Sequence, residues 1–157
     1  MNFAERLNKI KSNQNLKEFY SKNISGHISP YISATLVNTK ISANQITLTM
    51  ILFCAIACYF LQIGNLFSLL IGSFFLFLVN VVDTVDGEVA RFKNTTSNLG
   101  DYLDRVSHYC TYTASIFFFS VGLYKIYNET FLLLIILGFF SLFFYFIDEI
   151  VRDLIIS

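Results

Sequence analysis

Acidic side chains recur at helical spacing in the middle of this chain, between long apolar runs. Asp83 and Asp86 are three residues apart, and Asp104 and His108 are four apart, so each pair lies on one face of a helix. Asp101 lies one turn before Asp104 on the same face. Carboxylate oxygens that converge from two helices are the ligands that hard divalent cations prefer. The spacing therefore predicts a divalent-cation site between two helices.

Four apolar runs surround these charges and predict the elements that position them. The runs are Ile46–Ile63, Leu66–Val82, Tyr109–Leu123 and Phe131–Ile147. Each is close to the ~20 residues that a helix needs to cross a bilayer, once flanking helix is counted. Since 55% of the residues are hydrophobic, four buried helices of a soluble bundle would lack the polar faces that form a surface. The sequence predicts an all-α, polytopic membrane helix bundle with four spanning helices.

Residues 1–40 have a different composition, with six Lys or Arg against two Glu. Apolar side chains recur there at helical spacing, which predicts an amphipathic cytoplasmic segment lying in the headgroup plane. The membrane domain is predicted to comprise residues 41–157. Ser42 and Gln45 have the spacing of a capping box, which predicts the start of the first membrane helix.

Charge distribution predicts the orientation of the bundle. Six Lys or Arg precede the first run and three lie within residues 83–108, whereas the connections on the opposite side carry only Lys125. Because positive residues are retained on the cytoplasmic side, the N-terminus and the acidic site are expected to face the cytoplasm, most simply at a bacterial cytoplasmic membrane.

Other classes of function are disfavoured by composition. The formal net charge is +0, and no basic patch with interleaved aromatic residues indicates nucleic-acid binding. The three cysteines lie in or beside apolar runs without metal-ligand spacing, and their odd number argues against a disulfide framework.

Residues 83–108 resemble the signature of the CDP-alcohol phosphotransferases, D-x2-D-G-x2-A-R-x8-G-x3-D-x3-D. The positions that match at every spacing are Asp83, Asp86, Gly87, Ala90, Arg91, Gly100 and Asp104. The last position departs from the pattern, because His108 stands where the family has Asp. The string Ala43–Thr47 is also similar to the family's P-N-x-x-T entry to the first membrane helix, with Ala43 in place of Pro.

The resemblance implies transfer of a substituted phosphate from a CDP-linked donor to an alcohol, with release of CMP, in phospholipid synthesis. CDP-diacylglycerol is the expected donor, and the reverse arrangement, with a soluble donor and a lipid acceptor such as diacylglycerol, stays open. Mg²⁺ or Mn²⁺ is the implied cofactor, bound by Asp83, Asp86 and Asp104 with Asp101 as a helper. A homodimer surrounded by membrane lipid is expected.

The resemblance also implies roles for the remaining motif residues. Those expected to border the substrate are Gly87, Ala90, Arg91, Gly100, Asn44 and Thr47. Asp104 and His108 are the expected catalytic pair, since the last motif position carries the general base in the family. Neutral imidazole, with an unperturbed pKa of about 6.5, can accept a proton in the same way. The alternative is an inert packing histidine in a pseudoenzyme.

Two further functions are compatible with the sequence. One is a catalytically silent or truncated relative that acts as a membrane partner. The other is a small cation carrier that uses intramembrane acids, although this does not explain the motif glycines. The family usually has six spanning helices, so both a natural four-span variant and a fragment lacking two C-terminal helices are considered.

Overall fold

The computed structural model describes residues 1–14, 24–127, 138–140, 143 and 147. This part of the chain is helical and contains no strand, which confirms the all-α prediction for it. Its helices are α1 (Phe3–Ser12), α2 (Gly26–Leu36), α3 (Ala43–Leu61), α4 (Leu66–Lys93) and α5 (Asn98–Tyr127).

Side-chain caps set the ends of the long helices. The predicted capping box is present at α3, where the Gln45 backbone N–H donates to Ser42 Oγ at 3.3 Å. The Ser42 N–H in turn donates to the Gln45 side chain at 3.0 Å. Asn65 caps α4 by accepting the Ser68 N–H at 2.8 Å. α4 ends at Asn94, whose left-handed backbone (φ 53°) is the conformation that commonly terminates a helix.

Among the described residues, α3 and α4 are long and apolar enough to cross a membrane. They contain most of the first and all of the second predicted apolar run. Their outer faces expose large apolar side chains, such as Leu48 (65% exposed) and Phe67 (73% exposed). The third run, Tyr109–Leu123, lies within α5, and the fourth, Phe131–Ile147, falls mostly outside the described residues. Four spanning helices therefore stay a prediction.

Two buried clusters hold α3, α4 and α5 together. In the first, Met50, Cys54 and Cys58 of α3 pack with Val79 of α4 and with partly buried side chains of α5. The second cluster joins Ile46, Val85 and Val89, at the ends of α3 and α4 that carry the motif residues. Both buried cysteines are thus part of apolar packing.

At the other end of the bundle, the α3–α4 turn lies against α5. Gly64 has a positive φ of 85°, and a Cβ placed on it would come within 2.3 Å of the Gly122 carbonyl oxygen. Only glycine permits both this backbone and this approach. Lys125 Nζ donates to the Gln62 carbonyl at 2.7 Å beside the same turn. α5 is therefore held against the middle of α3 and against the turn that follows α3.

The N-terminal helices pack on the motif end of α4. α2 contacts α4 and α1 contacts α2. The side of α2 that is buried carries small residues, including Ser29, Ser33 and Ala34, whereas Ile28 and Ile32 on its other side are exposed. Small side chains let two helices approach closely. α1 adds Lys9, whose Nζ lies 4.8 Å from the Phe92 ring centroid.

Candidate active site

A cavity of about 280 Å³ opens where the start of α3, the last turns of α4 and the start of α5 meet. Nine of the eleven residues predicted from the sequence line it, namely Asn44, Thr47, Asp83, Asp86, Gly87, Ala90, Arg91, Gly100 and Asp104. His108 lines a smaller neighbouring cavity that shares Asp83 with the first one. The Asp101 side chain lies outside the described part of the structure, although its backbone belongs to α5.

Two carboxylates and the imidazole converge between α4 and α5. His108 Nε2 lies 3.0 Å from Asp83 Oδ1 and 3.6 Å from Asp104 Oδ1. One ligand atom from each of the three side chains lies within 4.8 Å of the others. The His108 ring also stacks on Tyr112, with centroids 5.9 Å apart and ring planes 19° apart. This donor set can hold a divalent cation of the kind bound by carboxylate and imidazole together.

Asp86 occupies another part of the cavity wall and is outside this convergent group, as the described residues place it. Its carboxylate Oδ2 accepts a hydrogen bond from the Thr47 hydroxyl of α3. Thr47 is buried, and the same hydroxyl also lies 3.3 Å from the Ala43 carbonyl. The contact fixes the first turns of α3 against the motif. Because Asp86 is outside the convergent group, its role as a metal ligand stays a prediction.

Asp104 lies on α5 before the apolar run Tyr109–Leu123. Burial raises the pKa of the Asp104 carboxyl to about 6, and the negative charge of Asp83 adds to the rise, while His108 acts in the opposite direction. A carboxyl whose pKa is raised by burial and by a neighbouring acid is common at functional sites. A divalent cation between Asp83 and Asp104 would compensate the repulsion.

Gly87 makes room for a side chain of its own helix. A Cβ at Gly87 would lie 3.0 Å from Arg91 Nη1 and 3.4 Å from Nη2. The glycine therefore allows the guanidinium to fold back along α4 beside the acids. At Gly100 a Cβ would meet Ser97 Oγ at 3.3 Å, and that hydroxyl accepts the Gly100 N–H at 3.1 Å. Both motif glycines thus serve close packing within the site.

Sequence reasoning missed several hydroxyl groups of this cavity. Thr84 on α4 and the α4–α5 connection Thr95–Ser97 line it. The signal in the sequence was the run of small polar residues directly after Asn94, which is typical of a turn. The turn is fixed by a hydrogen bond from the Thr95 N–H to the Ala90 carbonyl at 3.0 Å. These hydroxyls add hydrogen-bonding groups to the wall of the cavity.

Sequence reasoning also missed Glu88, which lies inside the signature at a variable position. Only 3% of this residue is exposed. Its carboxylate accepts hydrogen bonds from Gln14, just after the end of α1, and from Ser29 and Ser33 of α2. The helix therefore carries acids on two sides.

Comparison with known proteins places this arrangement in a family. The family model described as CDP-alcohol phosphatidyltransferase matches residues 40–154. The chain belongs to the CDP-alcohol phosphatidyltransferase family. The family resemblance of the signature is thereby confirmed, and the match covers all three helices that form the cavity.

Two curated relatives of this chain are both described as bifunctional IPC transferase and DIPP synthase. The protein from Thermococcus kodakarensis is 33% identical over 88 residues, and the protein from Archaeoglobus fulgidus is 34% identical over 88 residues. The aligned part is 56% of this chain but 19% and 17% of the two relatives. The chain thus spans under a fifth of the length of these relatives.

The family is one of membrane enzymes that use a CDP-linked donor and an alcohol acceptor. The family generally uses a divalent metal, and the residues that converge here fit one: Asp83 and Asp104 supply oxygen ligands and His108 supplies nitrogen. Held there, an ion would neutralise phosphate charge and stabilise the charge that develops during transfer.

Proposed function

We propose that this protein transfers a substituted phosphate from CDP-diacylglycerol to an alcohol, with release of CMP, in phospholipid synthesis. The observation that carries the proposal is that nine signature and entry-motif residues from three helices line one cavity. A scattered set of interfacial charges would have no reason to share a cavity with Gly87, Ala90 and Gly100. The motif was recognised on spacing alone, so its convergence in space is independent support.

The metal is proposed to be Mg²⁺ or Mn²⁺, held by Asp83, Asp86 and Asp104, with Asp101 as a helper. A pyrophosphate is polyanionic, so bare carboxylates would repel it. The three groups that converge within 4.8 Å support this assignment in part, since two of them are Asp83 and Asp104. Oxygen ligands favour Mg²⁺ and Mn²⁺, and one imidazole nitrogen is compatible with Mn²⁺.

The chain's own residues are proposed to bind and orient the reactants. Arg91 contacts a donor phosphate or orients a carboxylate, and Gly87 gives its guanidinium the space to do so. Asn44 and Thr47 border the donor from the α3 side, together with Ala90 and Gly100 across the cavity. His108 takes the proton from the attacking hydroxyl, with its ring oriented by Asp83 and Tyr112. The proton then leaves to solvent as CMP departs.

The membrane arrangement is also part of the proposal. Residues 41–157 form a membrane domain with four spanning helices, and residues 1–40 lie on its cytoplasmic face. The acyl chains of the donor stay in lipid beside the exposed apolar faces of α3 and α4, while the cytidine lies at the boundary. The protein is proposed to be a homodimer in a bacterial cytoplasmic membrane.

One observation favours a second candidate, a catalytically silent relative that acts as a membrane partner. His108 occupies the motif position where the family has a carboxylate, and an imidazole carries no negative charge to hold a second ion. The two candidates predict opposite results for turnover.

The test is CMP release by membranes that contain the protein. CDP-diacylglycerol is supplied first, with candidate alcohols added in turn, and a soluble CDP-alcohol with diacylglycerol is supplied next. Membranes with Asp83→Asn at equal expression give the background. CMP release that depends on one alcohol and on Asp83 supports the proposal and names the acceptor. Release equal to the background with every pair favours the silent relative.

A further inference from the structure

Glu88 is a buried carboxylate on the side of α4 that faces the N-terminal helices. Its Oε1 accepts hydrogen bonds from Gln14 Nε2 at 2.6 Å and from Ser29 Oγ at 2.8 Å. Its Oε2 accepts one from Ser33 Oγ at 2.6 Å. Beside it, the hydroxyls of Ser25 and Thr84 are hydrogen-bonded at 2.9 Å. Ser29 and Ser33 belong to α2, Ser25 is its N-cap, and Gln14 lies just after the end of α1.

The chemistry of the partners matches an ionised carboxylate. A carboxylate only accepts hydrogen bonds, and the three groups of the described residues that bond to Glu88 are an amide N–H and two hydroxyls that can donate. Burial of a charge is costly unless it is hydrogen-bonded, and hydrogen bonds to a charged acceptor are stronger than neutral ones. These three hydrogen bonds to Glu88 require α2 and Gln14 to lie against α4.

Glu88 shares its helical turns with the cavity residues. Asp86 is two positions before it and Arg91 is three positions after it, on a helix that turns about 100° per residue. Arg91 lines the active-site cavity and also the small cavity behind α4, where Glu88, Lys9 and Asn13 are its neighbours. A rotation of the last turns of α4 about its axis would move all these side chains together.

We propose that Glu88 is a positioning residue. Its hydrogen bonds to Gln14, Ser29 and Ser33 lock the rotation of the last turns of α4, and this lock aims Asp86 and Arg91 into the cavity. The inference rests on the proposed function for the meaning of the cavity. The lock itself concerns only the contact between the N-terminal residues and α4, so its effect on amide exchange and Mn²⁺ binding can be measured without turnover.

The experiment compares full-length variants reconstituted in lipid nanodiscs. Ser29→Ala combined with Ser33→Ala removes two donors and leaves the charge of Glu88 buried with too few partners. Glu88→Gln removes the charge and keeps the size. The matched control is Glu5→Gln, the same chemical change at an exposed position of α1. Three quantities are measured for each: amide hydrogen exchange of α2, Mn²⁺ binding, and kcat and KM for CMP release.

The double serine variant is expected to exchange the α2 amides faster and to bind Mn²⁺ more weakly. Its kcat is expected to fall about tenfold to a hundredfold, since a displacement of about 1 Å at reacting groups has costs of that order. Adding Glu88→Gln to the double serine variant is expected to restore part of the loss in all three measured quantities, because the buried carboxylate without enough hydrogen-bond donors is then gone. Glu5→Gln is expected to match the parent.

Three results would decide against the lock. Unchanged exchange of α2 in the double serine variant would show that the hydrogen bonds do not hold the helix. Faster exchange with unchanged Mn²⁺ affinity and kcat would show that Glu88 holds α2 in place but does not affect the active-site cavity. If adding Glu88→Gln to the double serine variant restores none of the three properties, the unpaired charge of Glu88 is not the cause of the losses. If the parent releases no CMP, the proposed function fails, while exchange and Mn²⁺ binding still decide the lock.

Discussion

The hydroxyl of Thr47 on α3 donates a hydrogen bond to the carboxylate of Asp86 on α4. This single contact joins the two stretches that resemble the family, the entry to the first membrane helix and the acidic signature. It also uses the only hydrogen atom of the Thr47 hydroxyl, so the nearby Ala43 carbonyl is at most a weak second acceptor. Asp86 is thereby held in one orientation on the cavity wall.

Thr47→Val should lower turnover because it keeps the shape of the side chain but removes the donor to Asp86. A buried carboxylate that loses a hydrogen bond is destabilised by about 1–3 kcal/mol, and we expect a loss in kcat/KM of about tenfold or more. Thr47→Ser keeps the hydroxyl and should stay near the parent. Equal activity of the Val and Ser variants would show that the contact has no part in turnover.

Asp83→Asn and Asp86→Asn should each abolish turnover while the protein still inserts and folds. Both changes keep size and remove a charge from the site, where ligation requires a carboxylate. CMP release and thermal stability in nanodiscs are measured in parallel, with Glu5→Gln as the control. Activity within a few-fold of the parent in either variant would count heavily against the metal site.

A divalent cation should be required, and Mg²⁺ or Mn²⁺ should satisfy the requirement. Excess chelator should stop CMP release, and either metal added back should restore it. Turnover that persists in chelator would rule out the proposed role of the metal. A cation carrier would instead move metal ions across a sealed vesicle without any release of CMP.

Asp101 should behave as a helper, because it lies at a variable position of the signature one turn before Asp104. Asp101→Asn should weaken Mn²⁺ affinity modestly, and Asp104→Asn should weaken it far more, since Asp104 belongs to the convergent group. Mn²⁺ titration of the two variants checks the order. Equal losses of Mn²⁺ affinity in the two variants would show that Asp101 is a main metal ligand in this chain.

His108→Ala should remove most turnover, and His108→Asp should keep a substantial part, because either side chain can accept a proton. Mn²⁺ titration of the same variants separates two roles. If His108 acts only as a base, its loss should leave the Mn²⁺ affinity close to that of the parent. If His108 is a metal ligand, its loss should lower the Mn²⁺ affinity as Asp104→Asn does. Gain of activity by His108→Asp in an otherwise inactive protein would identify the parent as a pseudoenzyme.

The active-site cavity could be predicted from the sequence because its determinants are local. Asp83, Asp86, Gly87, Ala90 and Arg91 are fixed relative to one another by one helix, and the cap at Ser42 fixes where α3 begins. The spacing also predicted a site between two helices, and Asp104 and His108 approach Asp83 while α5 packs mainly on α3. The fold class followed from the same apolar runs.

The remaining features depend on contacts between distant segments. The approach of His108 Nε2 to Asp83, without Asp86 in the same group, depends on how α4 and α5 each pack on α3, which residue spacing does not determine. The environment of Glu88 depends on Gln14, which is 74 residues away in the chain. A charged residue in an apolar helix predicts a function or a partner, but residue spacing does not identify Ser29 and Ser33 as the partners of Glu88.

The partners of Glu88 also impose an order on the biogenesis of the protein. Ser29 and Ser33 leave the ribosome 59 and 55 residues before Glu88 does. The hydrogen bonds can form only after α3 and the motif end of α4 have been synthesised. The N-terminal helices therefore exist before their partner does, and α2 keeps Ile28 and Ile32 exposed even in the folded protein. Formation of this contact would thus be a late step, at which the packing of the helices and the completion of the cavity coincide.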